Sequence, residues 1–259
     1  MQNAGNLKVV LTGLPGCGIS RLLSTWQLQF VDMPTASLQL AESVDKPGLY
    51  SWSFVDNGIV DFPVVQDDVH HACVIDVRSS PQALCWLPGL ESLLLAQLQG
   101  ADSIVFNFTE QSDLTLQAEW SSWLKKHGLN ALPIVRVMNQ QWPQDILTTF
   151  SKKQNAQKQL SHPWVGQQLQ CLRFDVSQMV FDHLLMALDN SRHSLTMPIL
   201  RVTANLNTLE YANRVRLEGS ACRLDSFAAD QTEPENYLKI YGFELNDEWF
   251  EQLIKAARY

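Results

Sequence analysis

The chain has 259 residues, 46% of them apolar and 18% charged, which is enough for one large α/β domain plus a smaller one and excludes a disordered chain. Nineteen basic residues against 27 acidic ones leave a net charge of −8. That balance argues against nucleic acid or an anionic membrane as partner, because both require a basic face. No apolar run nears the ~20 residues of a membrane span, and the polar Met1–Asn6 precedes an apolar run of only about five, too short for a signal peptide. The expectation is a soluble cytoplasmic protein.

The first informative stretch is Lys8-Val9-Val10-Leu11-Thr12-Gly13-Leu14-Pro15-Gly16-Cys17-Gly18-Ile19-Ser20-Arg21-Leu22-Leu23. An apolar strand runs into a glycine-punctuated turn and then a helix. This is the layout in which backbone N–H groups cradle phosphate at a helix N-terminus. Against G-x-x-x-x-G-K-[ST], Gly13, Gly18 and Ser20 match, with Gly16 inside the loop, but Ile19 stands where the lysine belongs. Ser20 is either a magnesium ligand or a plain helix-start hydroxyl. Arg21 is the nearby cation, roughly 100° round the helix from the lysine position, so it is not a direct replacement.

The helix from Ser20 to about Phe30 puts Leu22, Leu23, Trp26 and Phe30 on one face. Between Leu49 and Val65, two β-rich runs (50–55 and 59–62) flank Asp56-Asn57-Gly58, the pattern of a hairpin. Ala72-Cys73-Val74-Ile75-Asp76 is an apolar strand ending in an acid, the form of a Walker-B strand whose carboxylate would hold magnesium. His70 and His71 precede it, but neighbours on an extended segment point to opposite faces and do not readily share a metal. A helix from Leu90 to Gln99 ends at Gly100, and the strand 103–106 leads into Asn107-Phe108-Thr109-Glu110. A helix from Leu114 to His127 and a strand from Pro133 to Met138 follow. Strand–helix alternation over residues 7–138 predicts a mostly parallel sheet with helices on both faces. Gly13–Ser20, Asp76 and Asn107 then lie together at the carboxyl ends of its strands, where such sheets bind ligands.

The polar, basic stretch Thr148 to Gly166 reads as a solvated helix face and linker, separating a domain of residues 1–160 from one of 168–259. The second contains strands at 169–175, 199–203, 214–219 and 237–241. It also has a helix started by Ser177 and a helix capped by Asn246. Two βα units around a strand pair suggest a small α+β domain like a split βαβ sandwich. The five cysteines, Cys17, Cys73, Cys85, Cys171 and Cys222, are scattered and odd in number, which is neither a disulfide framework nor a zinc site. Most read as small apolar fillers, although Cys17 lies at a helix N-terminus that favours a thiolate.

With these motifs placed, the chain resembles the CobW-like family of P-loop GTPases and metal chaperones along nearly its whole length. Val9–Leu23 is similar to that family's opening strand and phosphate loop, and Asp76 stands at its Walker-B acid. Asn107-Phe108-Thr109-Glu110 stands at its Asn-Lys-x-Asp guanine motif. Pro198–Val202, Val215–Gly219 and Leu238–Leu245 are similar to strands of its C-terminal domain. The resemblance implies a P-loop NTPase-like sheet domain followed by a small α+β domain. It further implies GTP contacts at Gly13, Gly16, Gly18, Ser20, Asn107 and Glu110, with magnesium at Ser20 and Asp76.

The departures set the expected activity. The loop lysine is Ile19, the guanine-motif lysine is Phe108, the base-reading acid is Glu110, and the Cys-x-Cys-Cys metal motif has no counterpart, so zinc is not expected there. A lysine–phosphate contact contributes ~1.5–3 kcal/mol, so its loss weakens binding by roughly tenfold to a hundredfold or more. Hydrolysis suffers further, because phosphoryl transfer depends on electrostatic stabilisation. The expectation is a degenerate member that acts by binding a protein partner, in metal homeostasis or as a regulator of an active relative. The alternative is a slow GTP hydrolase and metal chaperone with an atypical loop.

Overall fold

The computed structural model of the protein describes residues 7–39, 42–61, 66–152, 164, 166–195, 197–229 and 236–258. The chain divides into two compact units, one of Met1–Gln82 with Gly89–Gln167 and one of Ala83–Pro88 with Gln168–Tyr259. Much of the expected linker (residues 153–163), the polar start Met1–Asn6 and the end of the expected hairpin (62–65) lie outside the described residues. Among the described residues no helix is long and apolar enough to cross a membrane.

The first unit is built on a six-stranded sheet. In chain order its elements are β1 (Lys8–Gly13), α1 (Ile19–Gln29), β2 (Thr35–Ser37), β3 (Gly48–Ser51), α2 (Phe54–Asn57), β4 (Val69–Asp76), α3 (Leu90–Gln99), β5 (Ser103–Asn107), α4 (Leu114–Lys126), β6 (Ile134–Arg136) and α5 (Ile146–Phe150). The strands lie in the order β2-β3-β1-β4-β5-β6, and every pairing is parallel. Buried parallel strands need apolar residues on both faces, and residues 72–75 of β4 and 104–106 of β5 supply them as apolar runs. Val9, Leu11 and Val74 share a core cluster with Leu22 and Trp26 of α1. Cys73 points the other way, and its thiol lies 3.8 Å from Gln97 Oε1 of α3. Helices therefore cover both faces, as the alternation predicts.

The expected hairpin is not formed. β3 is a short strand paired in parallel with β1, and Phe54–Asn57 makes a single helical turn. Two local signals outweigh the Asn-Gly pattern. The Ser53 hydroxyl caps the turn by accepting from the Asp56 N–H, and Gly58 closes it in the left-handed region at φ 66°. Trp52 is held by its indole N–H, which donates to the Asp61 carbonyl at 3.0 Å. β2, which the sequence reading omits, is three residues long with two exposed, too short for its periodicity to be read.

Helix α4 starts where its cap dictates. The Asp113 carboxylate accepts from the Leu116 N–H at 2.7 Å. Asp113→Ala should cost about 1 kcal/mol of stability to urea, and Asp113→Asn, which keeps the acceptor, should cost much less.

The second unit has β7 (Gln170–Asp175), α6 (Phe181–His193), β8 (Ile199–Leu206), β9 (Val215–Ser220), β10 (Arg223–Ala228), β11 (Tyr237–Gly242) and α7 (Asp247–Ala257). Its sheet order is β10-β9-β8-β11-β7, with every pairing antiparallel. Strands β7 and β8 run parallel to each other with β11 inserted between them, so β7–α6–β8 is a split βαβ unit. Leu184, Leu188, Phe250 and Ile254 of the two helices pack on Val202, Leu217, Leu238 and Ile240 of the sheet. Asn246 caps α7 as expected, accepting from the Trp249 N–H at 2.9 Å.

Two features differ from the sequence reading. β10 adds a fifth strand, joined to β9 across Ala221 and Cys222 without a glycine or proline signal. Helix α6 begins at Phe181, not at Ser177, because the preceding backbone is bonded elsewhere: Met179 N donates to Asn207 O and Val180 N to Ala257 O. The first helical N–H, that of Phe181, is taken by the Glu210 carboxylate at 2.7 Å.

Candidate functional site

β1, β4 and β5 end side by side, so the loop after β1, Asp76 at the end of β4 and Asn107 at the end of β5 meet at one edge of the sheet. Asp76 and Asn107 are register partners. The loop 14–18 requires its glycines. A Cβ on Gly13 would lie 2.5 Å from Cys17 Sγ and 2.7 Å from the Val74 carbonyl. Gly18 sits at φ 86°, and a Cβ there would lie 2.5 Å from Asn107 Nδ2 and 2.6 Å from the Phe108 ring. Gly16 is also left-handed, at φ 91°. The loop therefore has the glycine-dependent geometry that the motif predicts.

Asn107 ties this edge together. Its side chain is fully buried, and its amide NH2 donates to the carbonyls of Cys17 at 2.9 Å and Gly18 at 3.3 Å. Its Oδ1 accepts from Arg21 Nη1 at 2.6 Å and from the Phe108 N–H at 3.0 Å. A carboxamide has two N–H donors and two lone pairs, and all four are used.

Phe108 follows in the left-handed region at φ 61°, ψ 32°, a conformation that costs a non-glycine residue of order 1–3 kcal/mol. The surroundings hold it there. Its N–H is taken by Asn107, and Thr109 Oγ1 donates to the Val137 carbonyl at 2.7 Å. The ring lies against Gly18, with the Arg21 guanidinium 4.5 Å from its centroid and the Arg78 guanidinium 3.6 Å from it. Arg21 also forms an ion pair with Glu110, both side chains being more than four-fifths buried.

Asp76 is bound by an arginine two residues along. Arg78 Nε donates to Asp76 Oδ1 at 2.9 Å, Nη2 to Oδ2 at 2.6 Å, and the Arg78 backbone N–H to Oδ1 at 3.0 Å. This is a forked guanidinium–carboxylate pair, the strong charge-assisted type. Arg78 is the site residue that the sequence reading missed. The signal was Asp-x-Arg at the end of an apolar strand, a spacing that lets a guanidinium fold back on its neighbour.

Ile19, at the lysine position, packs against the core cluster of α1 and β1, and Ser20 is exposed at the start of the helix. Cys17 is buried in the same cluster. Burial, with a further contribution from nearby Cys17, pushes the Cys73 thiol far above its ordinary range, and a hydrogen bond with Thr12 only partly offsets this. Both cysteines act as small apolar core residues. His70 and His71 are buried at the opposite end of β4, with His70 Nε2 2.8 Å from Ser103 Oγ and its ring on Phe150.

Among the described residues no group of three or more His, Cys, Asp or Glu side chains could hold a metal ion. Magnesium does not fit the conformation described, since both Asp76 oxygens are engaged by Arg78. In this conformation Asn107 offers a base no unused donor or acceptor, and Arg21 is paired with Glu110.

No family model and no curated protein sequence matches the chain. Among solved structures, a Zn(II)-bound triple mutant of YjiA GTPase is similar at 12% identity, over 97% of this chain and 99% of that one, with a TM-score of 0.33. The Zn(II)-bound YjiA GTPase from E. coli is similar at 12% identity, over 98% of this chain and 100% of that one, with a TM-score of 0.34.

Proposed function

We propose that this chain is a degenerate CobW-like, P-loop GTPase-type protein that works by binding a protein partner, in metal homeostasis or as a regulator of an active relative, with little or no nucleotide turnover. One observation carries the reading: each polar side chain expected to read a base or hold magnesium at the sheet edge, Ser20 apart, is already bonded to an arginine of the same chain. Arg21 engages Asn107 and Glu110, and Arg78 engages Asp76. Ile19 adds to this, since an aliphatic side chain packed against the core brings no charge to a phosphate. Phosphoryl transfer needs preorganised positive charge at the transferred group, and here the positive charge is spent on internal carboxylates.

Phosphate release from GTP and ATP with magnesium tests this. The expected result is no release above the protein-free background and no change in Asp76→Ala. Steady GTP hydrolysis that disappears in Ser20→Ala would favour the second reading, a slow GTP hydrolase with an atypical loop. That reading draws on Gly16 and Gly18, whose left-handed backbone keeps the loop in the shape of an anion cradle.

A further inference from the structure

We propose that Arg21 is an internal occupant of the base-reading segment Asn107–Glu110, holding it closed to guanine nucleotides until the guanidinium is displaced. The inference rests on reading Asn107–Glu110 as that segment, and it adds what blocks the segment.

Guanine offers a protein a planar edge with adjacent N–H donors, N1–H and the exocyclic NH2, and an aromatic face. A carboxylate recognises the edge and a flat side chain the face. The Arg21 guanidinium supplies the same chemistry from within the chain. It is planar, it donates to Glu110 Oε1 and to Asn107 Oδ1 through two adjacent nitrogens, and it stands over the Phe108 ring at 4.5 Å. The other guanidinium, Arg78, covers the same ring at 3.6 Å, and the ring edge rests on Gly18. Two guanidinium groups and Gly18 thus contact the half-buried Phe108 ring, and the amide of Asn107 has no unused atom. A base and the guanidinium cannot make these contacts at once, so binding requires that Arg21 leave. Arg21 is the third residue of α1, and its side chain is 18% exposed, so it can leave into solvent without unfolding the helix.

Calorimetric titration of the full chain and of Arg21→Ala and Arg21→Met with GDP, ADP and inorganic pyrophosphate, each with magnesium, tests the assignment. Both substitutions suit a helix interior, and methionine keeps the stem that packs beside Phe108. Both variants should bind GDP at least tenfold more tightly than the parent chain. ADP and pyrophosphate, which lack the donor edge, should show no such gain. Adding Glu110→Ala to Arg21→Ala should remove the gain. Equal GDP affinity in the parent and in whichever variant keeps the parent's urea midpoint overturns the proposal, as does an equal gain for ADP or pyrophosphate. GTP hydrolysis by the parent chain would instead defeat the binding-only reading, and the parent-to-variant comparison would still decide the role of Arg21.

Discussion

Asn107→Ala should destabilise the first unit by about 3 kcal/mol or more, read as a fall in the urea midpoint, and should release the protection of the Phe108 amide in hydrogen exchange. The substitution removes one fully buried side chain that bonds three backbone groups: the Cys17 carbonyl, the Phe108 N–H, and the Gly18 carbonyl, which keeps its helical bond from the Leu22 N–H. A buried polar group stripped of its partner costs ~1–3 kcal/mol, and these groups lie too close to the packed loop for water to replace every bond. The fourth partner, Arg21, is partly exposed and still holds Glu110, so its share is small. Phe108 also loses the contact that holds it in the left-handed region. A midpoint loss equivalent to less than about 1 kcal/mol would show that the loop and β5 are not joined through this amide.

Trp26→Ala should cost about 3–5 kcal/mol, a large part of the ~5–15 kcal/mol that holds a typical domain folded. Trp26 is fully buried on α1 among aromatic rings, with centroids 4.3 Å from Phe30, 5.3 Å from Trp142 and 6.2 Å from Phe150. The cluster is tied by hydrogen bonds as well. The Gln29 side chain donates to the Trp142 carbonyl at 3.0 Å and accepts from its N–H at 2.9 Å, and the Trp142 indole donates to the Leu22 carbonyl at 3.3 Å. Truncation would leave a cavity the width of an indole, lined by rings from the end of α1, the segment before α5 and α5 itself. Trp26→Phe should cost far less than alanine. The Trp26 indole N–H has no acceptor among the described residues, so phenylalanine removes a desolvated donor while keeping most of the ring contact. A phenylalanine variant as unstable as the alanine one would mean that this N–H has a partner after all.

The two effects bear on function in different ways. Trp26 fixes α1 to the sheet and thereby the direction in which the loop helix presents Arg21. Asn107 fixes the loop to β5 and so brings Arg21, Phe108 and Glu110 within reach of one another.

Much of the architecture was legible from residue patterns. Buried parallel strands advertise themselves as continuous apolar runs, as in β1, the 72–75 part of β4 and β5. The loop glycines were also legible, because Gly13 and Gly18 stand where a Cβ would collide with neighbouring atoms. The cap of α7 follows from the Asn246 side-chain oxygen three residues ahead of a free N–H. What pattern reading missed is where a distant partner outbid a local preference. Asn57-Gly58 closes a helical turn because Ser53 caps it, and the approach to α6 stays out of the helix because Asn207 and Ala257 take its hydrogen bonds.

The site divides along the same line. The sequence alone determined which chemical groups are present at the sheet edge and which charge is missing, since the Ile19 side chain carries no charge in any fold. Only the tertiary structure decided what the remaining groups are bonded to. Arg21, Asn107 and Glu110 are separated by up to 89 positions, and Arg78 reaches Phe108 across the gap between two strands. Charge pairing of that kind depends on distances of a few ångströms between strand ends, and no local periodicity encodes them.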